Sequence, residues 1–305
     1  MARILNIRPL SEHIAADVVD VQISDILKDA RAMEEVKAAM LEHLLLRFRA
    51  QNLSPADMVA FCSQFGPLQD AVNRKEGMFV PGYENIGILY DVVDDKGNLV
   101  AADTLPQVFH TDKTSKPDPA AYYATYTLRA PADPPRHTYI NMYKVYDSLP
   151  PALKKRIEHL HIVHHSYNRG VDIDRADSPS LPLDKRSVGN VHPMVRRHAI
   201  TGKPSLFLCY RRDAVIPGLS EQDSRALMEE LWNIAESSPY QWTNSAPQDL
   251  EQANELLMLE LRCTKHRRTG WKAGQRMFWS VSCKGEAPIP AFAPASADTA
   301  ATATA

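Results

Sequence analysis

The stretch QVFHTDKTSKPDPAAYYATYTL, residues 107–128, places a histidine and an aspartate two positions apart, shortly before a segment rich in tyrosine and threonine. That segment predicts a strand from about residue 120. Residues two apart in extended backbone point to the same side, so His110 and Asp112 can approach one ion while Thr111 points away. The pair is either part of a metal site or only a polar turn, because the spacing alone fits both interpretations.

Outward from this stretch, strands dominate both halves of the chain. Further strands are predicted in LLLRF (44–48), HTYINMY (137–143), ELLMLEL (255–261) and RMFWSVSCK (276–284). Helices are predicted from Ala32, after the capping residue Ser54, from about 150 to 160, and from Ser220 to about 236. The long segment 67–107 is predicted to be an irregular functional loop. Helices set before and between strands indicate one β-rich α+β domain rather than a Rossmann alternation.

Composition narrows the possible partners. The chain has 305 residues, 44% of them hydrophobic, and a formal net charge of -2. This mixture offers no extended basic face for nucleic acid or for a membrane surface. No apolar run reaches membrane-spanning length, and four scattered cysteines fit a reducing compartment, so we expect a cytoplasmic protein. We expect one domain over 1–286, a disordered Ala/Pro/Thr-rich tail over 287–305, and a homo-oligomer, either dimer or tetramer.

A third metal ligand must come from elsewhere in the chain. His266, in RCTKHRRTGW just before the last predicted strand, is the best-placed candidate. Two imidazoles and one carboxylate form the facial triad of non-haem Fe(II) oxygenases, which leaves open positions on the metal. Arg276 follows ten residues later, and an arginine near an iron centre can bind a carboxylate through two parallel hydrogen bonds.

With these residues in place, the sequence resembles the TauD/TfdA family of Fe(II)- and 2-oxoglutarate-dependent dioxygenases from about residue 4 to residue 286. The blocks that carry the resemblance occur in the family's order: ILNIRPL, LLLRFRAQNLSPADMVAFCSQFGPL, FHTDKTSKPDPAA, VHPMVRRHAITGKPSLFL, IPGLSEQDS and RCTKHRRTGWKAGQRMFWSVSCKGE. The resemblance implies a double-stranded β-helix (jelly roll) core with flanking helices. It also implies hydroxylation of a small organic substrate, with possible oxidative cleavage, and release of succinate and CO2.

Residue by residue, the resemblance makes His110, Asp112 and His266 the iron ligands. Arg276 then binds the distal carboxylate of 2-oxoglutarate, and Thr138, in PPRHTYIN, helps to hold it. The implied cofactors are Fe(II), 2-oxoglutarate as cosubstrate, and O2.

The sequence departs from the family pattern at two places. LELR, residues 259–262, replaces a usual Trp-Asp-Asn-Arg run, and Glu260 is interpreted as a stand-in for the aspartate. Ser280 lies where many members carry a second arginine that binds an anionic substrate, so we predict that taurine is disfavoured. We identify four candidate contacts with the substrate in place of that arginine: Arg74, Tyr83, Arg211 and Ser280 itself.

Two other functions remain open at this point. A zinc-type metallohydrolase could use the same three ligands, although it would not need Arg276 or Thr138. A catalytically silent binding member of the fold is suggested by the altered LELR run. The histidines at 161, 164 and 165 are interpreted as structural rather than as a second metal site.

Overall fold

The strand predicted from about residue 120 is an inner strand of an eight-stranded sheet. This sheet and a three-stranded sheet contribute residues to one buried cluster. The structure is a computed structural model that describes residues 4–70, 78–90, 108–165, 189–211, 214–244, 253–269 and 276–293. The strands are β1 Asn6–Pro9, β2 Ala16–Val19, β3 Leu45–Phe48, β4 Phe79–Val80, β5 Tyr83–Tyr90, β6 Tyr122–Arg129, β7 His137–Asn141, β8 His161–His164, β9 Asn190–Pro193, β10 Val195–Arg197, β11 Pro204–Leu206, β12 Gln241–Thr243, β13 Glu255–Glu260, β14 Thr264–Arg268, β15 Met277–Cys283 and β16 Ile289–Pro290. The helices are α1 Ile23–Ile26, α2 Ala30–His43, α3 Pro55–Ser63, α4 Met142–Ser148, α5 Pro151–Ile157 and α6 Glu221–Ser237.

The large sheet has eight strands in the order β1-β2-β3-β13-β6-β15-β5-β4, and a three-stranded sheet has the order β12-β7-β14. Leu45 and Leu259 of the large sheet share a buried cluster with Tyr139 and Cys263, which lie in or beside the small sheet. We call the sides of the two sheets that meet at this cluster the inner faces. The opposite side of the large sheet packs against α1, α2 and α3 through a second cluster.

The helices begin where local chemistry predicts them. The side chain of Ser54 accepts a hydrogen bond from the Asp57 backbone, the Asp57 carboxylate reciprocates, and Pro55 occupies the first turn of α3. Ser220 caps α6 by accepting from the Asp223 backbone. Asp29 caps α2, which begins at Ala30, two residues before the predicted start at Ala32.

Three expectations about elements were wrong. The 67–107 segment is not wholly irregular, because it contains β4 and β5. HTYINMY is a strand only as far as Asn141, whose side chain accepts hydrogen bonds from the backbone of Tyr143 and Lys144 and so starts α4. The tail does not begin at 287, because Ile289–Pro290 pairs with β10, and residues 294–305 lie outside the described residues.

Among the described residues, no helix combines the length and the apolar character that crossing a bilayer requires.

Candidate metal centre

A single backbone bridge brings the two predicted histidine ligands together. The His110 amide donates to the His266 carbonyl and the His266 amide donates to the His110 carbonyl, each with an N–O distance of 2.9 Å. The two imidazole rings lie side by side, with centroids 4.4 Å apart. His266 belongs to β14, so the small sheet fixes its position, whereas His110 lies on the segment that approaches the sheet edge.

Asp112 joins the histidines through a turn rather than through the strand that was expected. Its two carboxylate oxygens lie 3.6 Å from Nε2 of His110 and 3.8 Å from Nε2 of His266. Thr111 points away, as expected, and its hydroxyl donates to the Thr264 carbonyl at 2.8 Å, which ties the turn to β14. The structure therefore brings His110, Asp112 and His266 into one group whose potential ligand atoms lie within 4.8 Å of one another. We call this group the HDH cluster.

The protonation states in the HDH cluster suit a divalent cation. Nδ1 of His110 lies 2.9 Å from the Val108 carbonyl, an arrangement that suits a proton on Nδ1 and metal binding through Nε2. Burial lowers the pKa of His266 to about 3, so this imidazole is neutral. Burial alone would raise the pKa of Asp112, but hydrogen bonding to His110 and the charges around it lower the pKa overall. Two neutral imidazoles and one carboxylate are the donor set that non-haem Fe(II) sites use.

The HDH cluster is open on one side. The Asp112 side chain is 34% exposed, while the His110 side chain is only 6% exposed. This asymmetry leaves room for further ligands beside the carboxylate. An open position of this kind distinguishes catalytic metal sites from closed structural ones.

Arg276 lies on the same side of the fold as the HDH cluster. Its guanidinium stacks on the Phe278 ring at 4.8 Å, and Phe278 pairs with Thr127 on the inner face of the large sheet. Burial lowers the pKa of His137, and the positive charges of Arg276 and Arg268 lower it further, so both arginines act electrostatically on His137. Arg268 is buried and lies two residues beyond His266 on β14, so it shares the inner face.

Thr138 lies on the opposite face of β7 from the HDH cluster. It pairs with Arg267 and Thr243, and its hydroxyl lies 2.8 Å from the Thr243 hydroxyl. The contact between Thr138 and the cosubstrate stays a prediction, although successive residues of a strand point to opposite faces and Thr138 pairs with Arg267 rather than with His266. The sequence contained a signal for this placement. Ile140 lies two residues after Thr138, so the two share a face of β7, and an aliphatic residue there indicates a face that packs into a core.

The inner-face position beside Thr138 belongs to His137, which sequence reasoning missed. The rings of His137 and Tyr139 are stacked 6.4 Å apart, and Tyr139 in turn stacks on His266 at 6.1 Å. His137 pairs with Arg268, and its Nδ1 is shielded from solvent with no hydrogen-bond partner among the described residues. His137 and the two arginines thus line the part of the inner face next to His266.

The residues suggested for substrate contact are scattered. Ser280 lies on the inner face, where it pairs with Thr125. Tyr83 packs against the helix-side core cluster, and Arg211 is bound to Glu229 and Glu236 of α6, the latter at 3.1 Å, so neither is brought to the HDH cluster. Arg74 lies outside the described residues.

Tyr210, which precedes Arg211, was also missed. Its ring stacks on His110 with centroids 6.0 Å apart and an angle of 15° between the planes. This stacking contact, together with the contact between Nδ1 and the Val108 carbonyl, orients the His110 imidazole. Sequence offered no signal for it, because Tyr210 follows a short strand and an irregular segment.

Among the described residues, a second group of potential ligands consists of His198, Glu260 and Cys263, all of them buried. The Arg262 guanidinium donates to both carboxylate oxygens of Glu260, from Nε to Oε1 at 2.7 Å and from Nη2 to Oε2 at 2.6 Å. Burial raises the pKa of the Cys263 thiol, and the Glu260 charge raises it further, so the sulfur remains protonated. We call His198, Glu260, Arg262 and Cys263 the LELR cluster. In this cluster the Glu260 carboxylate is bound by Arg262 and is not part of the HDH cluster.

Comparison with known proteins agrees with this architecture. The family model described as "Taurine catabolism dioxygenase TauD, TfdA family" matches residues 6–282. An alpha-ketoglutarate-dependent 2,4-dichlorophenoxyacetate dioxygenase from Cupriavidus pinatubonensis is 26% identical over 266 residues, covering 85% of this chain and 90% of the relative. An (S)-phenoxypropionate/alpha-ketoglutarate-dioxygenase from Sphingobium herbicidovorans is 28% identical over 302 residues, covering 94% and 97%.

Among solved structures, a taurine dioxygenase from Burkholderia xenovorans superposes with a TM-score of 0.73 at 22% identity, covering 94% of this chain and 93% of that one. At this identity the structural likeness shows a shared fold. The family model spans nearly the whole chain and includes all three residues of the HDH cluster. The chain therefore belongs to the TauD/TfdA dioxygenase family.

Proposed function

We propose that this protein is an Fe(II)- and 2-oxoglutarate-dependent dioxygenase that hydroxylates a small organic substrate and releases succinate and CO2. Oxidative cleavage follows where the hydroxylated carbon bears a leaving group. The observation that carries the proposal is the HDH cluster, in which two imidazoles and an ionised, partly exposed carboxylate place their ligand atoms close together. Family membership supports the same activity.

In this proposal His110, Asp112 and His266 hold the iron. When bound, Fe(II) supplies the oxidation of substrate by O2 coupled to the decarboxylation of 2-oxoglutarate. Tyr210 and the Val108 carbonyl orient the His110 ring, and Thr111 anchors the turn that carries Asp112. These contacts preorganise the ligands so that binding the ion needs little rearrangement.

Arg276 binds the distal carboxylate of 2-oxoglutarate, with Arg268 and His137 beside it. The distal carboxylate carries a full negative charge, which needs a cationic partner once it leaves water. Arg276 next to the Phe278 ring, together with the buried Arg268, meets this need on the inner face near His266. The shielded Nδ1 of His137 adds a further polar atom at the same place.

The two facing sheets are proposed to form the double-stranded β-helix expected from the sequence. The buried cluster shared by Leu45, Leu259 and Tyr139 supports this arrangement, as does the edge position of the HDH cluster. A homo-oligomer and a cytoplasmic location remain predictions from the sequence.

The alternative functions receive less support. A zinc hydrolase has no use for Arg276 and Arg268 beside the HDH cluster. The altered LELR run, which suggested a silent protein, forms a closed ion pair between Glu260 and Arg262 and leaves the HDH cluster intact.

The test is conversion of 2-oxoglutarate to succinate by purified protein, with Fe(II) and O2, across a panel of aryloxyalkanoates, sulfonates, amino acids and hydroxy acids. We expect substrate-stimulated succinate release that disappears without O2, with Zn(II) in place of Fe(II), or in Asp112→Ala. Hydrolysis of a substrate with Zn(II) and no need for O2 would overturn the proposal, as would iron binding with no succinate from any compound in the panel.

A further inference from the structure

The turn that carries Asp112 depends on contacts from outside itself. Lys113, the next residue, has φ of 59°, in the left-handed region that non-glycine residues seldom adopt. Within the turn, the Lys116 amide donates to the Lys113 carbonyl at 3.3 Å, which is longer than most backbone hydrogen bonds. A strained conformation of this kind persists only where the surrounding structure holds it, so the partners of the turn determine its shape.

Two side chains of β9 hold the turn at three successive carbonyls. Nε2 of His192 lies 2.9 Å from the Thr114 carbonyl and 3.0 Å from the Lys116 carbonyl. Carbonyl oxygens only accept hydrogen bonds, so this arrangement suits a proton on Nε2 that the two carbonyls share. The Asn190 side-chain amide donates to the Ser115 carbonyl between them. These contacts satisfy backbone groups of a segment that is neither helix nor strand.

His192 is itself held firmly by the core. It is 3% exposed and pairs with Ile162 of the neighbouring strand β8. Its ring contacts the rings of His164 and Phe207, with centroids 5.1 and 5.7 Å away. Burial lowers the pKa of His192, so the imidazole is neutral at pH 7. A neutral, buried donor contributes geometry to the turn rather than charge.

Asp112 lies between two anchors. Before it, the Thr111 hydroxyl donates to the Thr264 carbonyl at 2.8 Å and ties the turn to the small sheet. After it, the contacts from β9 begin at Thr114, two residues later. The two histidines of the HDH cluster are joined instead through their own backbone groups. Among the three proposed ligands, Asp112 is therefore the one whose position depends on β9.

We infer that His192 and Asn190 are positioning residues for Asp112, which hold the turn so that its carboxylate faces the two histidines before the metal binds. This inference rests on the proposed function and deepens it, since neither residue belongs to the HDH cluster. A looser turn lets the carboxylate occupy other positions. The ordering then has to occur when the metal binds, which lowers the affinity for the metal.

Four variants separate this role from a general structural one. His192→Ala removes the donor, whereas His192→Gln supplies an amide nitrogen whose two N–H groups can serve both carbonyls. Asn190→Ala removes the contact with the Ser115 carbonyl. Val191→Ala is the matched control, because Val191 lies between the other two on β9 and is 53% exposed. Circular dichroism and urea unfolding identify the variants that fold.

Three measurements are compared for each folded variant. Hydrogen exchange of the metal-free protein reports how well residues 110–116 are ordered. Anaerobic calorimetric titration with Fe(II) gives the affinity for the metal. The visible absorption of the Co(II)-loaded protein reports the geometry of the ligands around the ion, and this spectrum does not respond to a loss of stability elsewhere in the fold.

In His192→Ala, residues 110–116 should exchange faster than in wild type, and the Co(II) spectrum should change. The affinity for Fe(II) should fall about 10-fold, because a support of a ligand is lost while the ligand remains. His192→Gln should recover most of the affinity and the wild-type spectrum. Asn190→Ala should weaken Fe(II) binding about threefold, which corresponds to one neutral hydrogen bond, and Val191→Ala should leave all three measurements unchanged.

Wild-type Fe(II) affinity and Co(II) spectrum in folded His192→Ala would overturn this inference and leave the proposed function standing. An equal loss in Val191→Ala would do the same, because the effect would then belong to the strand as a whole. Where His192→Ala does not fold, Asn190→Ala decides, and unchanged exchange and Fe(II) affinity there would overturn the inference. Wild type that binds no Fe(II) would overturn both this inference and the proposed function.

Discussion

The HDH cluster and the LELR cluster each gather three potential metal ligands within 4.8 Å, yet their surroundings differ. In the HDH cluster the carboxylate of Asp112 faces the imidazoles of His110 and His266 and is partly exposed. In the LELR cluster the carboxylate of Glu260 is fully buried and already bound by Arg262. The potential ligand atoms meet the same distance limit in both clusters, so their proximity does not identify the metal site.

What separates the two clusters is whether the charge is already balanced. Arg262 neutralises Glu260, and a second buried arginine, Arg196, binds Glu286 at 2.7 Å close by. Nδ1 of His198 accepts hydrogen bonds from the backbone of Ile200 and Thr201, so its proton is on Nε2, which faces Glu260. A cation there would displace Arg262 and the proton of His198, whereas in the HDH cluster it would meet one carboxylate and two imidazoles.

The largest expected effect separates the two clusters by activity. Asp112→Ala or His266→Ala should reduce succinate formation at least about 1000-fold, because an open three-ligand site has no spare donor. Cys263→Ala, in the LELR cluster, should change it less than about threefold. The check is succinate released per minute under saturating Fe(II); comparable losses in Cys263→Ala and Asp112→Ala would erase the distinction.

The next effect concerns stability. Glu260→Gln should lower the free energy of unfolding by about 3 kcal/mol, because it leaves buried Arg262 without its carboxylate. The matched change Asp112→Asn should cost far less, since Asp112 is partly exposed. Urea unfolding at pH 7 measures both, and the account fails here if Asp112→Asn is the more damaging of the two.

The same pair predicts a pH dependence. Burial alone would raise the pKa of Glu260, but the Arg262 hydrogen bonds lower it from the ordinary 4.5 to about 2. Because the pKa of the folded state is depressed, this contribution is complete above pH 4.5 and is lost as the pH falls toward 2. Unfolding free energies measured between pH 5 and 2.5 should therefore fall less steeply in Glu260→Gln than in wild type.

A smaller effect is expected at the cosubstrate end of the inner face. Arg276→Ala should weaken 2-oxoglutarate binding about 10- to 100-fold, since a bidentate charged contact is lost. Arg276→Lys should recover only part of the affinity, because an ammonium cannot reproduce the planar pair. Titration of the Fe(II)-loaded protein gives both values; unchanged affinity in Arg276→Ala would move the carboxylate contact to Arg268.

The smallest effect tests which face of β7 serves the site. Thr138→Val should change 2-oxoglutarate affinity less than about threefold, because its hydroxyl lies at Thr243. His137→Ala should change it more, since His137 shares the inner face with Arg268. A larger effect at Thr138 than at His137 would restore the assignment made from the sequence.

Sequence reasoning worked best where one local signal determines the outcome. The Ser54–Asp57 capping box and the alternation in β6 placed their elements closely. The spacing of His110 and Asp112 and the position of His266 before the last strand made these residues candidates, and the resemblance assigned them as ligands. They are up to 156 residues apart, and one backbone bridge joins the two histidines.

The sequence was less informative where position depends on strand register. The assignment of Thr138 as a cosubstrate contact came from the resemblance and stays a prediction, because its register against β14 is a long-range property that the sequence does not contain. The sequence also gave no partner for Glu260, because the side chain of Arg262, two residues later, folds back onto it only in the buried turn that the fold creates.

The most direct test of the central claim is the stoichiometry of Fe(II) bound under anaerobic conditions by wild type, Asp112→Ala and Glu260→Gln. The account predicts one Fe(II) per chain in wild type, none in Asp112→Ala, and one per folded chain in Glu260→Gln. Fe(II) retained by Asp112→Ala and lost from folded Glu260→Gln would place the metal in the LELR cluster and contradict the account.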